Sequence, residues 1–297
     1  MPSSLVDRRT LIFGTLAAGL LPAGALMAQT GQLTAREVFR QIKAATGQPW
    51  DPNPTDDRII FGDRNVPVTG IATCFLATIE VLRKARAAGL NYIVPHEASF
   101  YERYDDFAES AVADDDPVLI AKQRFLTENG MVIQRLHSHA HSRPGDAIML
   151  GLIARLGWTG QRIEDLVGMP QVRLAPAPAR EVALHVKAAL GRRTLRVFGD
   201  LDRTISTVSI SAGMPGENAH IRQLESGTDA VLMGEVREPE VLGYAQDMAD
   251  SRRITVFLSG HTNEDAGMGV IADWLKTVFP ALPVQWLPIV DPYTTPA

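Results

Sequence analysis

The chain has 297 residues, 45% of them hydrophobic and 21% charged, a composition that excludes intrinsic disorder and supplies apolar mass for one large domain or two smaller ones. Its formal net charge of -5 and the lack of a Lys/Arg run in the mature region exclude the basic footprint that phosphate-backbone binding requires, so no nucleic acid partner is expected. The single cysteine, Cys74, has no second thiol to pair with, so the fold must rest on its core or on a metal.

Residues 1–28 read as an export signal: two arginines at the start, an apolar stretch from Leu11 to Leu21, then small residues around Ala23 and Ala25 or Ala28. The apolar stretch is too short to span a bilayer, and no membrane span is expected in the mature chain. Arg8-Arg9 followed by Thr10-Leu11-Ile12 resembles the twin-arginine signal for export of folded bacterial proteins, although the usual lysine is missing. A general secretory signal, with the arginines supplying only the positive end, is the other reading. Either directs the protein to the periplasm.

From about Leu33 short β-branched runs alternate with helical ones. "TGIATCF" and "NYIVPHE" read as strands flanking the helix "LATIEVLRKARAAG", a βαβ unit; "DPVLIAKQRFLTENG" is a helix leading to the strand "MVIQRLH", and "AIMLGLIARLGW" is again helical. The Pro- and Ala-rich segment at 166–180 looks like a connection. Beyond it come strands "STVSISAG", "DAVLMGEV" and "RITVFLSGH", the helix "GMGVIADWLKTVF" and a terminal strand "PVQWLP". The pattern predicts an α/β protein of two similar lobes, 33–165 and 181–297.

In open α/β folds the ligand crevice lies at the carboxyl ends of the strands. His96 and Glu97 follow "YIV", His137, His139 and His141 follow "VIQRL", and His261, Glu264 and Asp265 follow "VFLSG". A lone imidazole is more often a hydrogen-bonded structural residue, but five of the 7 histidines sit at these three strand ends. If "RLHSHAH" stays extended, side chains two apart line one wall, at about 3.3 Å per residue; a bend after His137 would change which of them meet. Imidazole with carboxylate suits a divalent ion: zinc, iron, manganese, nickel or cobalt. His185, in an amphipathic helix, lies outside the pattern, and His220 is undecided. Gly213 and Gly216 could offer backbone N–H groups to an anion or merely form a turn. Glu235, after another strand, is either a proton acceptor or a surface residue. Cys74, with no His/Asn constellation beside it, reads as a small buried residue.

"AGLNYIVPHEASFY", "RLHSHAHSRPGDAIMLGLIARLGW", "DAVLMGEVREPEV", "LSGHTNEDAGM" and "LPVQWLPIVDPY" together resemble the Ngg-interacting-factor-3-like proteins, known as dinuclear metal-centre hexameric proteins and in part labelled GTP cyclohydrolase 1 type 2. The resemblance implies two α/β lobes, a homo-oligomer of hexameric, toroidal type, and one or two metal ions per chain held between the strand ends. The family's paired histidine before a proline is met here by Pro95-His96-Glu97, so the second histidine is matched by His96 and the first is lost; either Glu97 replaces it, or the site binds one ion firmly and the other weakly. The motif of a histidine with an aspartate four residues later is met by His137 and His141. In the last motif His261 pairs with Glu264, preferred over Asp265 because Gly267-Met268 then fits with one residue deleted. The expected metal ligands are therefore His96, Glu97, His137, His141, His261 and Glu264.

Three functions compete on this reading. A metal-dependent hydrolase of unknown substrate would use water as nucleophile, with Glu97 or Glu264 handling the proton. A metal-binding or metal-delivery protein would hold the ion without turnover. A ring-shaped scaffold would use the metal to staple its lobes. Export argues against GTP cyclohydrolase chemistry, because nucleoside triphosphate is scarce outside the cytoplasm.

Overall fold

Short apolar runs build the first of two sheets in the computed structural model, which describes residues 32–51, 56–107, 109–166, 169–248, 254–294 and 296. The export signal expected at 1–28 lies outside the described residues. Strands β1 (Ile59–Phe61), β2 (Ile71–Cys74), β3 (Tyr92–Pro95) and β4 (Val132–Gln134) are ordered β1, β4, β3, β2. The last three run parallel, and β1 is antiparallel to β4. Strands β2, β3 and β4 are buried along their whole length, as strands covered on both faces must be. Neighbouring residues serve opposite cores: Ile71, Tyr92 and Val132 pack with helix α1 (Ala35–Ala45), while Ala72, Ile93 and Ile133 pack with α2 (Ile79–Ala87) and α3 (Pro117–Glu128). The helix starts are written locally. Thr34 and Glu37 form a capping box on α1, Thr78 caps α2, and Asp116 accepts from two amides of α3, each worth about 1 kcal/mol.

Helices α4 (Ser138–His141) and α5 (Ala147–Arg155) lead toward the second sheet. α5 serves both halves, with Ala147 and Ile148 in the first core and Leu152 and Ile153 in the second. The second sheet contains β5 (Arg162–Leu166), β6 (Met169–Pro178), β7 (Arg196–Phe198), β8 (Thr204–Ile210), β9 (Ala230–Met233) and β10 (Thr255–Leu258), ordered β5, β6, β8, β9, β10, β7. Here β8, β9 and β10 are parallel. Helix α6 (Ala179–Ala189) covers one face through Val182 and Val186. The other is covered by α7 (Glu217–Leu224) and α8 (Glu238–Asp247), through Leu224, Val241 and Ala245.

Two local expectations change. The Pro-rich segment read as a connection is largely the strand β6, between β5 and β8. Its register with β8 is interrupted between Arg173 and Ala177, and Pro176 falls in that interruption, where its missing N–H breaks no ladder bond. The terminal strand β11 (Val284–Trp286), read with the second lobe, pairs instead with β2 of the first sheet, parallel, with Val284 opposite Ile71. Helix α9 (Gly267–Val278) travels with it, placing Met268, Ile271 and Leu275 in the first core, while β11 covers the edge of β2. The crossing of α5 with α9 is close: a Cβ on Gly151 would lie 2.5 Å from the Cα of Gly267. Two α/β lobes therefore form, as expected, but the chain returns to the first after building the second. No helix among the described residues is long and apolar enough to cross a membrane.

Candidate metal centre

The carboxyl ends of parallel strands from both sheets open on one cleft of about 950 Å³. His96 and Glu97 leave β3, His137 leaves β4, and His261 and Glu264 lie on a 3-10 turn after β10. The histidine run is not extended. Residues Ser138–His141 form α4, and side chains four apart share a helix face, so His137 and His141 meet with ring centroids 5.1 Å apart. His139 is turned away, where it bonds Asp57 and stacks on Trp50 at 4.0 Å. Asp57, buried and remote in sequence, accepts from the amides of His137 (2.5 Å) and His139 (2.7 Å) and so caps this short helix.

Four imidazoles direct Nε2 at two carboxylates. His96 Nε2 and His261 Nε2 each lie 3.3 Å from Glu264 Oε2, and His141 Nε2 lies 3.9 Å from Glu264 Oε1. His137 Nε2 and His261 Nε2 each lie 3.4 Å from Glu97 Oε1. The opposite ring nitrogens face outward. His141 Nδ1 meets Asp146 at 3.0 Å, His261 Nδ1 meets Glu235 at 3.0 Å, and His96 Nδ1 meets the carbonyl of Leu136 at 3.3 Å. Such contacts fix which nitrogen is left for a ligand, the arrangement that orients metal-binding histidines. Asp56 lies 3.8 Å from His137 Nδ1.

The electrostatics follow from this packing. Burial pushes the Glu97 and Glu264 carboxyls up, but the close facing imidazoles and their charge prevail; Glu97 is held well below the carboxylate range and Glu264 falls to about 2. For His261 burial acts downward, and the two carboxylates overcome it, raising the imidazole to about 11. His96 is the exception: fully buried, its pKa is lowered mainly by desolvation.

A divalent cation suits this set. His96 Nε2 and Glu264 Oε2 are buried and lack any properly aligned hydrogen bond, a state that an ion between them would relieve. Donor atoms of His96, His137 and His141 lie within 4.8 Å of one another, as do those of His96, Glu97 and Glu264. The mixture of imidazole nitrogen and carboxylate oxygen is that of first-row transition ions. Space is reserved as well. Gly213, after β8, has φ 52°, and a Cβ there would stand 2.6 Å from the Glu264 carboxyl carbon and 3.0 Å from His261 Nε2.

The six expected ligands are thus brought together, while other candidates are placed elsewhere. Asp265 points away from the cluster into a second cavity, accepting from the amide of Ile289, and burial raises its pKa to about 6. Glu235 stands on the cleft wall behind His261. Gly213 directs its N–H to Asn263, so that amide is not offered to an anion. Cys74 is fully buried, and desolvation raises its thiol pKa far above the ordinary range. His185 bonds the carbonyl of Leu156 and stacks on Trp158. His220 is fully buried on α7. Sequence reasoning passed over Asp57, Asp146 and Arg135. The last carried a signal, a charged residue inside the apolar run "VIQRLH".

The sequence profile of the Duf34/NIF3 family (NGG1p interacting factor 3) matches residues 48–292. Among solved structures, a Bacillus cereus protein related to NIF3 is 14% identical with a TM-score of 0.69, covering 90% of this chain and 100% of its own. The Staphylococcus aureus hypothetical protein SA1388 is 15% identical with a TM-score of 0.68, covering 89% and 100%. The protein ybgI, of unknown function, is 22% identical with a TM-score of 0.68, covering 88% and 100%. Likenesses at these identities speak to fold alone. No curated protein matches the chain.

Proposed function

The chain belongs to the Duf34/NIF3 family, and from that membership and its converging side chains we propose that it holds one or two divalent metal ions and acts as a metal-dependent hydrolase. The observation that carries the reading is the convergence of four Nε2 atoms and two carboxylates at an open cleft, with His96 buried beneath it and the other five residues on its lining. A structural site tends to be closed by protein ligands, whereas a catalytic one keeps a side open to substrate. A divalent cation in this position supplies the Lewis acidity that makes water a nucleophile near neutral pH. His96, His137, His141 and His261 would hold it through Nε2, with Glu97 and Glu264 adding oxygen.

Of the two carboxylates expected to handle the proton, both have their oxygens committed within the cluster and are held ionised, which makes them poor bases. Glu235 is placed better for that task. It is half exposed on the cleft wall, and its contact with His261 Nδ1 also orients a ligand. The partial exposure of His137, His141 and His261, about 30% each, supports a second reading, a metal-delivery protein that surrenders its ion into the cleft. Export by residues 1–28 and a homo-oligomeric ring belong to the same proposal; cell fractionation and solution mass measurement test them.

The deciding experiment is elemental analysis of protein purified from its native compartment, alongside His96→Ala and His261→Ala, followed by a screen of phosphoester, ester and amide substrates. Metal in the wild type that is lost in the variants, with turnover dependent on the ion, supports the hydrolase. Metal without turnover supports the carrier, and a wild type without metal overturns both.

A further inference from the structure

We propose that Arg135 is a positioning residue that fixes Glu97 as a single-oxygen donor to the metal centre. The inference rests on the metal-binding reading and adds to it a residue that is not itself a metal ligand. Arg135 and Glu97 follow the neighbouring parallel strands β4 and β3, so the topology itself sets them side by side.

The arginine is 3% exposed, and an unpaired guanidinium at that depth would be strongly destabilising. Here it is satisfied on every nitrogen: Nε donates to the carbonyl of His96 at 3.0 Å, one terminal nitrogen to the carbonyl of Arg103 at 2.6 Å, and the other to Glu97 Oε2 at 3.1 Å. The consequence for Glu97 is geometric. One oxygen is engaged by the guanidinium, and Oε1 is the one that faces the cluster, 3.4 Å from both His137 Nε2 and His261 Nε2. The contact holds Oε2 toward Arg135 and so favours coordination of an ion through Oε1 alone. Because the same guanidinium also holds the carbonyl of His96, it locks the peptide joining two adjacent donors. A planar fork with donors in fixed directions does this; a lysine, a single point charge on a flexible stem, makes one of these contacts at a time.

The test is titration of the metal-free full-length protein with Co2+, reading stoichiometry, affinity and the visible absorption spectrum, for wild type, Arg135→Gln, Arg135→Lys, Glu97→Gln and the double variant Glu97→Gln/Arg135→Gln. Circular dichroism establishes that each is folded. Arg135→Gln is expected to weaken binding of one ion by about tenfold to a hundredfold and to change the spectrum, as loss of a ligand's supporting contact does. Arg135→Lys is expected to fold and to restore only part of both. The double variant should bind no more weakly than Glu97→Gln alone, since Arg135 acts through Glu97. Wild-type affinity and spectrum in both Arg135 variants, or effects of the two Gln substitutions that add in full, overturn the assignment while leaving the metal centre intact. If Arg135→Gln does not fold, an unchanged spectrum in Arg135→Lys still overturns it. A wild type that takes up no Co2+ overturns the metal reading and this inference with it.

Discussion

Gly213→Ala tests the idea that the cleft floor is shaped around an ion. At φ 52° an alanine costs about 1 kcal/mol in backbone strain alone. The new methyl would also meet the Glu264 carboxyl carbon at 2.6 Å and His261 Nε2 at 3.0 Å. The Glu264 carboxylate is the end of a flexible side chain on the cleft lining, so it can yield only by leaving the position it shares with His96 and His261. Disturbing one ligand in this way is expected to weaken metal binding by about tenfold to a hundredfold, or about 1.4 to 2.8 kcal/mol. The control is Gly216→Ala, which has φ 100° but no atom within 4 Å of the added Cβ. It carries backbone strain without the clash, so it should melt earlier and bind metal as the wild type does. Isothermal titration of both metal-free variants, with their melting temperatures, separates the two effects. Equal loss of stability with wild-type metal affinity in both would refute the reasoning.

His220 is fully buried on α7, and burial lowers its pKa to about 4. The unfolded chain takes up this proton as pH falls through about 6.5 and the folded one only near 4, so stability is lost across that window, by about 2 kcal/mol at pH 5. His220→Leu should flatten the dependence, and urea melts at pH 7 and 5 measure it; equal slopes would count against the burial argument. His139→Ala should keep its metal while losing about 1 to 2 kcal/mol, the Asp57 contact and the Trp50 stack, in a thermal melt; reduced metal content would place this histidine back in the site. Cys74 should resist iodoacetamide until the protein unfolds, as mass spectrometry would record, and rapid alkylation of native protein would contradict its burial.

Much of the fold was legible because local signals and tertiary structure agree. The runs that became β2, β3, β4, β9 and β10 are short and mainly apolar, and α2 and α3, which connect the first three, start at Thr and Asp caps. What escaped were features decided by partners distant in sequence. β6 reads as a linker because three prolines lie in it, and only the irregular register against β8 makes room for Pro176. β11 carries no mark of which sheet it joins; that depends on α9 packing over the first core. Likewise α4 looks like a strand by its alternating histidines, and becomes a helical turn through Asp57, eighty residues from His137.

The same dependence on distant partners explains how the site departs from the motifs that suggested it. Those motifs lead one to expect an imidazole beside His96 and a carboxylate four residues after His137. The chain has the reverse: Glu97 beside His96, and His141 in the later position. Viewed one motif at a time, each is a loss. In space the two positions face the same centre, His141 toward Glu264 and Glu97 toward His137, so the cluster still contains four imidazoles and two carboxylates. Both exchanged groups also carry a support suited to their new chemistry. Asp146 accepts from the imidazole His141, and the guanidinium of Arg135 donates to the carboxylate Glu97. A donor set can be preserved in number and charge while its members change strands, provided that each new ligand acquires its own orienting partner. It follows that replacing either donor alone by the type the motifs lead one to expect, Glu97→His or His141→Asp, should weaken metal binding, and that making both changes without also altering Arg135 and Asp146 should not restore it. Full recovery of affinity in the Glu97→His/His141→Asp variant with both supports retained would show that the supports are irrelevant and that only the donor count matters.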